Sequence, residues 1–370
     1  METMSVARGL FRHDSGSLSN RTCPHPDESG PTIVPLVGSM SFHKFSMILS
    51  GACGVFVLVL CLYSVFSHAM KYSRPVQQRQ LIRIVCLVPW VSIISFLSIW
   101  LETAGPYIAP AIDFGAALAL SAFLLLLCDY VLAGPNGSND LLGLEAPDRG
   151  QNAGRGPQWL KKTWYLVLQF IPVTMILWIA TAASLAVGTY CATSNKPYFA
   201  HIWITIFRLI STTLAIIAIL KFYGRQKSQL SHYNVMLKLL AFKSIIFLNV
   251  SQGFILNLLI SSNIIKPNKY LSYHDATVAI PSLVLSCEMP FFAVLMIFAY
   301  NTKPYTVDNA DYVGGPLGLG AIFQALNMTD ILSAFVRGPM RLLRGQEKDI
   351  GTLNGNFESI VHSPNIKTVA

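Results

Sequence analysis

Charge is what this chain has least of: Asp, Glu, Lys and Arg make up 12% of its 370 residues, about half the share found in a soluble domain. Hydrophobic residues supply 53% and the mean hydropathy is +0.50. A water-facing surface of ordinary extent cannot be built from this composition, so the rule of one soluble domain per roughly 150 residues does not apply. Alternation is also missing. Stretches such as GAALALSAFLLLL are apolar without a break, which excludes barrel strands, whose pattern alternates over about 10 positions. The eight histidines are scattered, none lies deep in an apolar run, and no metal-ligand spacing is present, so no metal site is expected. GxSxG, HExxH and phosphate-loop patterns are absent. The last apolar run carries no lysine for a retinal Schiff base, and no aromatic-interleaved basic patch marks a nucleic-acid surface. The third and last runs end LLLLCDYVLAGP and FAYNTKPY, without the motifs of G-protein-coupled receptors. The expectation is a chain that is not an enzyme, uses no cofactor and binds no nucleic acid.

What is present is a set of seven apolar runs, at 46–67, 81–101, 107–132, 163–188, 200–222, 238–260 and 277–300. Each reaches the ~20 residues that a helix needs to cross ~30 Å of hydrocarbon. The predicted fold is an all-α integral membrane bundle of seven transmembrane helices. Residues 1–45 form a disordered tail in this reading, 46–302 the membrane domain, 303–345 an amphipathic segment and 346–370 a second disordered tail. No secretory signal precedes the first run.

Orientation follows from the short loops. Nine basic residues (Lys71, Arg74, Arg79, Arg149, Arg155, Lys161, Lys162, Arg225 and Lys227) fall on one side, against Lys196, Lys266 and Lys269 on the other. The richer side is expected in the cytosol, with the N-terminus outside or lumenal and the C-terminus cytosolic. The formal charge of +9 then lies against anionic lipid. The sequon Asn20-Arg21-Thr22 falls in the outer tail, so Asn20 is a candidate glycosylation site. Cys23 and Cys191 both fall on the outer side, where an oxidising compartment would permit a disulfide between them.

Ionisable groups inside a span cost several kcal/mol and are site candidates by default. At ~1.5 Å per residue, Glu288 lies about 16 Å into the seventh run, Arg208 about 12 Å into the fifth, Gln252 about 12 Å from the outer end of the sixth and Asp113 about 9 Å into the third. Two readings stay open: Arg208 pairs with Glu288 or Asp113 simply to hold the bundle together, or the four line a substrate cavity near the midplane. Pro89, Pro172, Pro281 and Pro290 free backbone carbonyls mid-span, which is tolerated where helices line protein or water. Arg83, Asp129, Lys221, Lys238 and Lys243 lie near cytosolic ends and are expected to snorkel to the headgroups. Beyond the bundle, GLGAIFQALNMTDILSAFVRGPMRLLRG has helical spacing, with Asn327 and Asp330 as a cap pair for a short helix. It suits either the inner leaflet or the underside of the bundle.

Four segments carry a resemblance: RQLIRIVCLVPWVSIISFLSIW, LKLLAFKSIIFLNVSQGFILNLL, SCEMPFFAVLMIFAY and ALNMTDILSAF. Together they resemble the signatures of the organic solute transporter alpha family over roughly residues 45 to 337. The matching motif positions are Lys243, Ser244, Gln252, Gly253, Cys287, Glu288 and Met289. The cysteine-rich cytosolic run of the animal transporter subunit is missing, with Cys128 standing alone, so the likeness is closer to the broad transmembrane branch. The resemblance implies facilitated diffusion of an amphipathic organic anion such as a steroid conjugate, and a single-span beta-type partner or a homo-oligomer. The alternative is a non-transporting receptor or scaffold that recruits cytosolic partners through its tail. Both the plasma membrane and an endomembrane such as the vacuole or endosome fit the sequence.

Overall fold

The computed structural model describes residues 34–36, 38–134, 137, 155–192, 194–262, 264–265, 267–305 and 312–337. Among them, seven helices are long and apolar enough to cross a membrane: Phe42–Met70, Pro75–Trp100, Gly105–Leu132, Gln158–Val187, Ala200–Arg225, Val235–Ser261 and Asp275–Ala299. They correspond one to one with the predicted runs and are called the first to seventh spans below. The second span starts six residues earlier than hydropathy suggests, because its first turn, PVQQRQ, is polar yet helical behind Pro75 at its N-terminus. Apolarity marks the lipid-crossing part of a helix, whereas backbone bonding continues through a polar turn.

Proline explains most of the irregularity. The second span is broken at Cys86, between Pro75–Val85 and Leu87–Trp100, just ahead of Pro89, which cannot return a hydrogen bond to the Val85 carbonyl. The fourth breaks at Gln169, ahead of Pro172. The seventh opens with a π turn, Asp275–Ala279, immediately before Pro281. Pro290 leaves its helix continuous.

The third span is the axle of the bundle, with 83% of its apolar window buried against 17% for the fourth. Its run of small residues, from Gly115 through Ala122, lets neighbouring helices approach closely. At Gly115 a Cβ would overlap the indole of Trp90, whose Nε1–H donates to the Ala111 carbonyl at 2.8 Å. Gly115→Ala is therefore expected to displace Trp90, break that bond and lower stability by about 1–3 kcal/mol, read as a lower thermal midpoint in detergent.

Two of the expected interface anchors are not anchors. Arg83 is buried, and it donates to the Ala325 carbonyl at 2.8 Å, to the Asn327 carbonyl, and to both carboxylate oxygens of Asp330 at 2.8 Å. Lys238 is also buried, donating to the Tyr130 hydroxyl at 2.8 Å. Each finds a protein partner nearer than the headgroups. The tail helices Leu319–Leu326 and Thr329–Arg337 thus fold back under the second span. Ala321, Ala325 and Ile331 are buried, and Trp164 of the fourth span donates to the Ala334 carbonyl at 2.9 Å. Asn327 caps as expected, its Oδ1 accepting from the Thr329 amide at 3.0 Å, but Asp330 spends its carboxylate on Arg79, Gln80 and Arg83 instead.

Candidate functional site

A cavity of about 260 Å³ opens among the third to seventh spans. Each helix presents one stripe to it: Thr174, Leu177, Trp178 and Thr181 from the fourth, His201, Ile204, Thr205 and Arg208 from the fifth, and Asn249, Gln252, Gly253 and Leu256 from the sixth. The spacing is i, i+3, i+4, i+7 in each case, which keeps one face of a helix on the cavity. Asp113 lines the third-span wall, and Thr277, Pro281, Ser282 and Leu285 the seventh. Pro106 in the first turn of the third span, Tyr190 and Tyr273 form the rim at the end of the bundle away from the tail helices.

Arg208 and Asp113 are joined at 3.2 Å between Nη1 and Oδ2. Asn249 donates to the other carboxylate oxygen of Asp113 at 3.2 Å, so the anion is held from two helices. The guanidinium keeps further donors: a third of the Arg208 side chain is exposed. Its Nη2 lies over Gly253, 3.6 Å from where a Cβ would stand. A Cβ there would make ordinary van der Waals contact, so only a side chain reaching further would crowd the guanidinium. His201 is held by Asn257 Nδ2 at 3.1 Å and meets the Tyr190 ring edge-on at 5.1 Å. Burial pushes the Tyr190 phenol up to about 12, so it meets the cavity as a neutral hydroxyl.

The site residues expected from sequence therefore divide. Arg208, Asp113 and Gln252 share one wall, as does Gly253. Arg208 pairs with Asp113 and not with Glu288. Glu288 is absent from the cavity lining and is bonded instead to Gln252, one shell behind it. Among the other motif positions, Lys243 borders a small separate void beside Leu120 and Phe242, Met289 is buried in the core, and Cys287 is exposed on the outer face of the bundle. Ser244 is half-buried and lines neither space. Asn20 and Cys23 lie outside the described residues. Cys191 is buried and disulfide-bonded.

Asn249, His201, Tyr190 and Trp178 went unnoticed in the sequence. Asn249 was within reach, since it stands one turn before Gln252 and Gly253 on the same face. Tyr190 and Trp178 look like ordinary interfacial aromatics until the helices are placed. Histidine and aspartate also meet where sequence spacing showed nothing: ligand atoms of His43, His274 and Asp275 lie within 4.8 Å of one another.

The family model for the organic solute transporter Ostalpha matches residues 46–305. The chain belongs to this family. Among curated proteins it is similar to "Vacuole membrane protein hfl11" of Schizosaccharomyces pombe, with 29% identity over 280 residues, covering 68% of this chain and 61% of that one. It is also similar to "Protein LAZ1" of Arabidopsis thaliana, with 25% identity over 316 residues, covering 77% of this chain and 63% of the relative. The chain thus spans about three fifths of the length of these relatives. Both are members of the broad membrane branch. No solved structure matches. The protein is integral to the membrane.

Proposed function

We propose that this chain carries an amphipathic organic anion across its membrane by facilitated diffusion, with the Arg208 cavity as the binding site. The observation that supports this reading most directly is a part-exposed guanidinium on the wall of a cavity inside the bundle. A charged group in a span is retained where it serves a substrate path or a pair, and Arg208 has donors for both. The remaining lining joins aromatic and aliphatic surface, from Trp178, Leu185 and Leu256, to Thr, Asn and Gln side chains. Such a mixture suits a molecule with a fused-ring body and an anionic head. At about 260 Å³ the cavity sits just below the roughly 300–1,000 Å³ of small-molecule sites, so a steroid-sized substrate would leave part of its body in the mouth.

The tail-facing end of the bundle is shut. Phe123 stacks on Phe242 at 5.4 Å, and beyond them Lys238 donates to Tyr130, Tyr130 lies 3.4 Å from the Tyr305 hydroxyl, and Tyr305 donates to Gln77 at 3.1 Å. A cavity open at one end and plugged at the other is one half of an alternating-access cycle. With the expected orientation, this form accepts substrate from the outer or lumenal side.

The test is uptake of a labelled steroid sulfate by proteoliposomes holding the purified chain alone. Saturable flux above empty liposomes is expected. Gly253→Leu, which pushes the guanidinium off its seat, should raise the half-saturation concentration at least tenfold, about 1.4 kcal/mol, while Gly253→Ala should change it little. Flux no greater than that of empty liposomes would favour the scaffold reading or a required partner subunit.

A further inference from the structure

At the rim end of the bundle, three side chains from the two ends of the membrane domain converge. His43 stands in the first turn of the first span, behind the Ser41 cap. His274 and Asp275 stand where the seventh span begins, at the π turn, a distortion frequent at functional sites. Asp275 is fully buried. Three buried atoms among these side chains have no hydrogen-bond partner: Nδ1 of His43, Nδ1 of His274 and Oδ1 of Asp275. A buried polar atom without a partner is unusual and costs about 1–3 kcal/mol, and here three occur in one cluster.

The opposite atoms of His274 and Asp275 are already hydrogen-bonded, and that of His43 faces a carboxylate. His274 Nε2 sits 3.0 Å from the Ser98 carbonyl, which accepts its proton. That bond fixes the tautomer and leaves Nδ1 with a bare lone pair. Gly105 permits the approach, because a Cβ there would strike the Ser98 carbonyl and come to 3.0 Å from His274 Nε2. His43 Nε2 faces the exposed carboxylate of Glu102 at 3.5 Å. Asp275 Oδ2 accepts from the Ser272 amide at 3.1 Å, and the Ser272 hydroxyl accepts from the Asp275 amide at 2.9 Å. An imidazole whose far nitrogen is tied to a carbonyl, and a carboxylate tied to an amide, match the outer-shell arrangement of metal ligands.

The spacing agrees. His43 Nδ1 and Asp275 Oδ1 are 3.4 Å apart, too far for a normal hydrogen bond of 2.7–3.2 Å. Bonds of ~2.0–2.1 Å to a tetrahedral ion set its ligands about 3.3 Å apart. We propose that His43, His274 and Asp275 form a binding site for a divalent transition ion, zinc being the natural occupant of two imidazoles and a carboxylate, with a fourth position for water. Glu102 completes the charge balance from the outer shell. An ion there would staple the start of the first span to the start of the seventh, beside the cavity rim residue Tyr273.

The experiment uses the full chain, purified in detergent, stripped with a chelator and dialysed against Zn²⁺. Elemental analysis should find one zinc per chain. Under the same conditions His43→Gln, His274→Gln and Asp275→Asn should each retain less than about a tenth of that, and Glu102→Gln should weaken affinity by about 10–100-fold. Co²⁺ substitution of the wild-type chain gives a reading that does not depend on how the ligand variants fold. Intense d–d absorption of a tetrahedral site, lost on adding Zn²⁺, is expected. Wild-type chain that elutes as a folded species yet holds no zinc would overturn the proposal. So would variants that keep the full equivalent, or a weak octahedral cobalt spectrum.

Discussion

Arg208→Ala is expected to raise the half-saturation of uptake tenfold to hundredfold and to destabilise the protein, whereas Arg208→Ala combined with Asp113→Asn should recover the stability without the affinity. The single substitution leaves the Asp113 carboxylate, 14% exposed, with Asn249 as its remaining partner. Removing one member of a buried ion pair costs roughly 3 kcal/mol, because the other charge stays desolvated. Neutralising Asp113 as well removes that uncompensated charge. The substrate, however, still lacks the guanidinium. Loss of a charge-assisted hydrogen bond is worth about 1.5–3 kcal/mol, a tenfold to hundredfold rise in half-saturation. Thermal midpoints and initial uptake rates, measured on the same preparations, separate the two effects. A double variant that transports like the wild type would mean that the pair only holds helices together.

The second large effect is expected at the tail. Asp330→Ala should lower stability by roughly 3 kcal/mol and release the segment from Thr329, seen as faster proteolysis of the C-terminal residues in intact protein. The reason is Arg83, whose side chain is only 4% exposed and cannot reach water if its carboxylate is removed. Burial alone would raise the Asp330 carboxyl, but hydrogen bonds from Arg83 and the charges of Arg83 and Arg79 outweigh it and hold the group below its ordinary value. The sign follows from that depression. The contribution is complete above the carboxyl's unfolded pKa near 3.9 and is lost as pH falls through the lower folded value. Docking should therefore be indifferent to pH near neutrality and fail only in strong acid. Asp330→Asn should fall between wild type and Ala, since the amide oxygen still accepts from Arg83.

Legibility in the sequence followed chemistry that acts locally. Seven spans could be counted because desolvated backbone must bond within its own helix, so every crossing needs its own ~20 apolar residues. The kinks at Cys86 and Gln169 trace to Pro89 and Pro172, whose missing N–H acts within one turn. Arg208, Asp113 and Gln252 stood out because a polar group in hydrocarbon is costly wherever it points. Direction was the harder matter. Glu288 looked like cavity lining by depth, yet it faces Gln252 from behind, and Arg83 and Lys238 looked like headgroup anchors although both turn inward. Depth along a helix is fixed by counting residues, while rotation about the axis is fixed by the neighbours it packs against.

The class, an all-helical membrane bundle, and the small set of residues too polar to be there by accident could thus be read from the residues alone. Which of them meet is a matter of how the helices pack. The Arg208–Asp113 pair joins the fifth span to the third, Arg83 reaches Asp330 in the tail, and His43 comes to His274 and Asp275 from the other end of the domain. Those contacts depend on how helices are arranged around the third span, and that arrangement is set by many small packing choices, such as the glycine under Trp90, that carry no signature at the distance along the chain where their partners lie.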